Sequence, residues 1–287
     1  MSLFIASLNS GSNGNCYYVG NKDSAILVDI GVSCRETEKR LAHLNLPINK
    51  IKAIFISHEH TDHIKGVNLF AKKHNLPVYL SRKTHQRCNF NWHGIHFFED
   101  GVPQYIAELK VTPFLKFHDG IDPHSFTIDY KDIKVGVFTD IGQVCDNLTY
   151  HFSKCDAAFL EANYCEEMLD KSSYPYFLKS RIKGGKGHLS NAQALELFKN
   201  HASEKLKFLI LSHLSRENNH PELVENLFKS YTVNTKIIVA SRYQETAVFE
   251  VSDKNTTHQS PCHLNQTDSL ISLHNEYTST SLTPLHL

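Results

Sequence analysis

Three imidazoles and a carboxylate fall within one short stretch, as His58, His60, Asp62 and His63 in the pattern H-x-H-x-D-H. Neutral imidazole and ionised carboxylate are the donors that suit zinc, manganese or iron. The motif follows the apolar, β-branched run 51–56, which reads as a buried strand. Residues two apart in an extended segment point to the same side, so His58 and His60 face one way. Asp62 and His63 fall where a helix should begin, and its positive N-terminal end stabilises an ionised Asp62. One loop therefore offers two imidazoles to one cation and a carboxylate–imidazole pair to a second. With 19 histidines in 287 residues, composition alone can produce a His-rich loop. This order of donors behind a buried strand is much harder to reach by chance.

Other apolar runs end in the same kinds of residue. Run 109–117 leads to His118, 133–139 to Asp140, 157–160 to Glu161 and 206–211 to His213. In layered α/β folds the crevice outside the carboxyl ends of strands holds ligands, so these residues are expected to converge. Further strands are predicted at 3–8, 16–19, 25–30, 77–80, 125–130, 236–240 and 246–251. The Asn/Gly loop 9–15 fits either a phosphate-cradling nest or a plain hairpin turn, and it lacks the Gly-Lys-Ser/Thr ending of a Walker A motif. Capping-box patterns at Ser33–Glu36 and Ser190–Gln193 predict helices to about 46 and 201. A helix is expected from 62 to about 74, and another, capped by Ser81, carries Arg82, Lys83 and Arg87. Residues 89–108 read as irregular.

Composition is that of a globular protein, 41% hydrophobic and 21% charged. Lys plus Arg equals Asp plus Glu, at 30 each, so no global field announces a nucleic-acid partner. The seven cysteines are odd in number and contain no C-x-x-C, which favours a reducing cytoplasm over a disulfide framework. The first residues lack the pattern of a signal peptide, and no apolar run is long enough for a transmembrane helix. Residues 1–252 are expected to form one catalytic domain, and the polar, aperiodic segment 253–287 a disordered tail.

Taken together, the loop 9–15, His58 to His63, His118-Asp119, Thr139 to Gly142, Glu161-Ala162-Asn163, Gly187 to Asn191 and His213 to Ser215 resemble a metallo-β-lactamase-fold hydrolase of the WalJ/YycJ-like family. That family is related to ribonuclease Z and the phosphonate phosphodiesterases. The resemblance spans nearly all of 1–250 and implies an αββα sandwich, two mixed β-sheets with helices on both outer faces. It implies two divalent metal ions, zinc or manganese. His58, His60 and His118 would hold one, Asp62, His63 and His213 the other, and Asp140 would bridge them. Water activated between the cations would attack phosphorus. Asp62, His188 and Glu161 are the implied catalytic residues, with His188 at the scissile phosphate and Glu161 positioning its ring. Asp119 and His124 are left outside the metal set.

One departure concerns the nucleases of the RNase J type, which carry a large inserted domain between positions like Asp140 and His213. The span 143–212 is too short for it. Lys179, Arg181, Lys183 and Lys186, just before His188, are the candidate replacement for its nucleic-acid clamp, or else a solvated helix end. The expected activity is a phosphodiesterase on nucleic acid, a 5′-to-3′ DNA exonuclease. The alternatives are a phosphodiesterase for a small cyclic or nucleotide-like ester, a thioester or lactone hydrolase, or a metal-stabilised interaction module. No membrane partner is expected, and the sequence leaves open whether the chain is a homodimer.

Overall fold

Several strands have no polar face to show water, which requires cover on both sides. The computed structural model describes residues 1–252; the tail expected at 253–287 lies outside the described residues. The first sheet takes β1 (Ser2–Asn9), β2 (Cys16–Gly20), β3 (Ala25–Val28), β4 (Ile51–Phe55), β5 (Val78–Leu80) and β6 (Ile95–Phe97). The second takes β7 (Gln104–Ile106), β8 (Leu109–Leu115), β9 (His124–Tyr130), β10 (Ile133–Phe138), β11 (Ala157–Glu161), β12 (Phe208–Ser212) and β13 (Lys236–Val239). The chain then returns to the first sheet with β14 (Phe249–Ser252), giving orders β14-β1-β2-β3-β4-β5-β6 and β13-β12-β11-β10-β9-β8-β7. Both sheets are mixed: β14-β1-β2-β3 and β7-β8-β9-β10 pair antiparallel, while β3-β4-β5-β6 and β10-β11-β12-β13 pair parallel.

Between the sheets, Ile5, Val19, Val28 and Phe55 meet Phe126, Val137, Phe159 and Ile210 in one core. Tyr17 and Phe159 touch across it with ring centroids 4.9 Å apart. The outer face of the first sheet is covered by α1 (Cys34–His43) and α3 (Val67–His74), through Leu41, Val67 and Phe70. That of the second is covered by α5 (Asp146–Phe152), α8 (Asn191–His201) and α9 (Pro221–Lys229), through Leu148, Phe198 and Phe228. The remaining helices are α2 (Thr61–Ile64), α4 (Arg82–Arg87), α6 (Glu166–Lys171) and α7 (Tyr176–Lys183). This is the expected αββα sandwich.

Local expectations fared unevenly. The helix expected over 62–74 is broken into α2 and α3 at Gly66, whose backbone N–H donates to Ile30 O at 2.8 Å. A Cβ there would stand 2.1 Å from Val32 O, so this close approach needs glycine. The capping box at Ser190 and Gln193 is complete. At α1 only half forms: Ser33 accepts from Glu36 N, but the Glu36 carboxylate turns to Arg40 at 2.7 Å. Residues 89–108 are not wholly irregular, for they hold β6 and β7. Each is the outermost strand of its sheet, paired on one side only, so neither leaves a strong apolar pattern.

Candidate active site

The ends of β3, β4, β8, β10, β11 and β12, with the loop before α8, supply the site. Three of the residues there leave their strands through the left-handed region: Asp29 (φ 59°), Asp140 (φ 55°) and His213 (φ 57°). Such a conformation costs about 1–3 kcal/mol in a residue with a side chain and gathers at functional sites. Here it turns side chains at strand ends back over the sheet edge.

His58, His60 and His118 come together, with a nitrogen from each within 4.8 Å of the others. His58 Nε2 lies 3.0 Å from His60 Nδ1. His118 Nδ1 donates to the carbonyl of Gly187 at 3.1 Å, which leaves the lone pair on Nε2. Burial pushes the His118 imidazole down to about 4 against the pull of Asp140, with Lys116 adding to the shift. Burial, helped by His63, also holds His58 well below the usual histidine value. Both rings are neutral donors at neutral pH.

Beside them lies a more highly charged group. Asp140 Oδ2 is 3.1 Å from His63 Nε2, and its Oδ1 is 3.1 Å from His213 Nδ1 and 3.8 Å from His118 Nε2. Asp62 Oδ2 stands 3.6 Å from His63 Nε2 and 3.7 Å from His213 Nε2. Burial disfavours the Asp140 carboxylate, yet His213 and His63 overcome this and hold its carboxyl well below the usual range. In return, against burial, Asp140 and Asp29 raise His63 well above its ordinary value. Asp140, Asp62 and Glu161 likewise raise His213 to about 10.

Glu161 is fully buried and binds with both oxygens. Its Oε1 is 2.8 Å from His188 Nδ1 and 3.0 Å from His213 Nδ1, while Oε2 accepts from Ile141 N (2.6 Å) and Leu189 N (3.3 Å). Burial raises its carboxyl, but the charge and hydrogen bond of His188, with His213, bring it to about 2. His188 keeps 22% of its side chain exposed, against 3% or less for His63, His118 and His213. The sequence-predicted residues are thus all brought together, and Glu161 grips His213 as well as His188.

Other members are not among the sequence-predicted site residues. Asp29 Oδ2 takes His63 Nδ1 at 2.7 Å and its Oδ1 accepts from Ser57 N at 2.8 Å. Asn15, in the loop that joins antiparallel β1 and β2, reaches His63 Nε2 at 3.1 Å and Asp62 Oδ2 at 3.3 Å. Asp119 Oδ1 lies 3.4 Å from His118 Nε2 and 3.6 Å from His60 Nε2. Lys116 is buried and donates to Thr139 O at 2.7 Å. Asp29 ends a strand just as Asp140 does, a signal that could have found it. His118 Nε2, His213 Nε2 and Asp119 Oδ1 are buried without a hydrogen-bond partner. Buried polar atoms are normally satisfied, so orphaned imidazole and carboxylate atoms facing one another fit divalent cations.

Comparison with known proteins agrees. Residues 10–148 match the family described as the metallo-beta-lactamase superfamily. The chain is 34% identical over 228 residues to the exodeoxyribonuclease YycJ of Bacillus anthracis, covering 78% of this chain and 86% of that protein. It is 34% identical over 223 residues to the exodeoxyribonuclease WalJ of Streptococcus pneumoniae, covering 75% and 83%. Among solved structures, YhfI of Bacillus subtilis has a TM-score of 0.67 at 16% identity, over 87% of this chain and 100% of that one. The short form of human tRNase Z has 0.59 at 16% identity, over 85% and 98%. At such identities these two structures show the fold alone.

Proposed function

The chain belongs to the metallo-β-lactamase superfamily, a fold that binds divalent metal, and we propose that within it the protein is a DNA exonuclease, hydrolysing phosphodiesters at the cluster described above. The observation that carries this reading is the His188–Glu161 pair, whose Nδ1 lies 3.9 Å from Asp140 Oδ1 while the ring stays partly open to solvent. Our reading gives His58, His60 and His118 to one cation, Asp62, His63 and His213 to a second, and Asp140 to both, with zinc or manganese as the metal. Bound there, such cations would polarise the phosphoryl oxygens and lower the pKa of a bound water, supplying hydroxide at neutral pH.

The chain's own groups do the rest. Glu161, ionised and buried, fixes the Nδ1 side of His188, so Nε2 is turned to substrate. As imidazolium, His188 donates to a phosphoryl oxygen or to the departing oxygen as the ester bond breaks. Asp29 holds His63 from behind, and Gly187 O orients His118 in the same way. DNA as substrate rests on the relatives, which are exodeoxyribonucleases. A reducing compartment is supported by the described cysteines, all free. Among the described residues, no helix is long and apolar enough to cross a membrane.

A second reading, a small cyclic or nucleotide-like diester, has one observation in its favour. Much of the basic run is engaged within the chain: Arg181 with Asp119, Lys183 with Asp170, and Lys179 with the carbonyls of Asp170 and Ser172. The experiment is digestion of DNA labelled at either end, beside RNA and a small chromogenic diester, with zinc or manganese restored. Nucleotide release from the 5′ end of DNA is expected; turnover of the small ester alone gives the second reading the field.

A further inference from the structure

We propose that α7 is a nucleobase-stacking arm, on which Phe177 and Tyr176 hold the bases of the strand that leads away from the reacting phosphate. This deepens the nucleic-acid reading above and rests on it.

The helices that cover the two sheets bury apolar residues against them, but α7 buries no residue at all. Its two aromatic rings stand in solvent, Tyr176 86% and Phe177 73% exposed. Even so, the helix is tied to the catalytic cluster. Arg181 places Nε and Nη2 on Asp119 Oδ2 at 2.7 and 2.5 Å, and the other Asp119 oxygen faces His60 and His118. The turn that follows α7 packs on the loop after Asp140: a Cβ on Gly142 would come within 2.4 Å of Gly185 O. Its last residue, Gly187, orients His118.

Helical spacing then places the rings. Phe177 is four residues before Arg181 and lies on the same stripe, one turn of about 5.4 Å further out from the cluster. Tyr176 stands beside it at the helix start. Stacked nucleotides advance about 3.4 Å each, so the turn beyond Arg181 spans about two of them and the rings would meet bases at least about two nucleotides from the reacting phosphate. Lys186, exposed in the intervening turn, lies where the connecting phosphates pass. Exposed rings alternating with cations are how proteins hold single strands without reading their sequence.

The test uses the metal-loaded full chain and oligothymidylates of two, four and eight nucleotides with uncleavable phosphorothioate linkages, bound in a fluorescence anisotropy titration. For the parent, affinity should step up between two and four nucleotides. In Tyr176→Ala/Phe177→Ala the step should fall by about 10-fold or more, the usual scale for a lost base–aromatic stack. Phe177→Trp should keep it. The ratio of kcat/KM for a long strand to that for bis(4-nitrophenyl) phosphate should drop in parallel, with the melting temperature unmoved. An unchanged step in the double variant, in a parent that does cleave DNA, overturns the arm and leaves the nuclease reading standing. So does a parent dimer that the double variant dissociates, since the rings then serve a second copy. A parent that binds no oligothymidylate and cleaves only the small ester defeats the nuclease reading, and the arm falls with it.

Discussion

The two sides of the cluster differ in charge before any cation arrives. On one side stand His58 and His118, which burial keeps neutral, with the more exposed His60 beside them. On the other, His63 and His213 are driven to the protonated form by Asp140, Asp29, Asp62 and Glu161. A cation can enter the first side by taking lone pairs already free. To enter the second it must displace protons, because a nitrogen carrying a proton cannot ligate. Asp140 touches both sides, so it is where their occupancies are coupled.

The largest effect expected from probing this contrast is at His188. It lies on the carboxylate side, yet our reading makes it a donor to substrate rather than a ligand. His188→Ala should lower turnover by about 10²–10⁴ while elemental analysis finds the metal content unchanged. Loss of metal along with activity would make His188 a fourth member of the charged side.

Next comes the support behind the ligands. Asp29→Asn should weaken metal binding about 10- to 100-fold, the usual cost of removing a carboxylate that orients a ligating imidazole. The loss should fall on the cation held by His63. If competition with a chelator shows both sites weakened equally, the two sides are not separable units.

The pH response follows from the signs of the shifts in metal-free protein. His213 goes from an ordinary 6.5 to about 10, so its contribution to stability is complete below 6.5 and is lost as pH rises through 10. Glu161 goes from 4.5 to about 2, so its contribution is present above 4.5 and is lost as pH falls towards 2. His58 and His118, held neutral by burial, lose stability as pH falls below 6.5, so metal-stripped protein should melt highest near pH 6.5 and lose ground on either side. Restored metal should remove the alkaline loss, since cations then take the place of the protons. A stripped protein that grows steadily more stable from pH 5.5 to 9 contradicts the assignment of charge.

The smallest effect is expected from the basic run. Charge-neutral replacement of Lys186 should flatten the dependence of log K for DNA on log salt by about 0.7–0.9 for each phosphate left without its cation, and that of Lys179, held by the carbonyls of Asp170 and Ser172, by less. Arg181 and Lys183 are already paired with Asp119 and Asp170, so their removal should change the slope less. An unaltered slope in all four variants would make the run a solvated face.

What could be read from the sequence was what sits at strand ends. His58 to His63, His118, Asp140, Glu161 and His213 each close an apolar run, so the pattern of strands carried the pattern of donors. Asp29 also closes a strand, but its worth comes from a hydrogen bond to His63, 34 positions away, which no local spacing encodes. Asp119, left outside the metal set, was hard to weigh for a similar reason: besides the adjacent His118, its partners are His60 and, 62 positions on, Arg181. The long helix over 62–74 failed because Gly66 must pass against Ile30 and Val32, a tertiary approach that overrides helical periodicity. Elements with one bare side, β6, β7 and α7, left little trace because exposed surface imposes no period.

The central claim is that two cations share Asp140, one on each side. Elemental analysis of protein loaded with zinc or manganese at pH 8 and then desalted tests it most directly. We expect about two metal ions per chain in the parent and about one or fewer in Asp140→Ala, with turnover lost in the variant. A parent holding one ion at full activity, or an Asp140→Ala variant that keeps two, contradicts it.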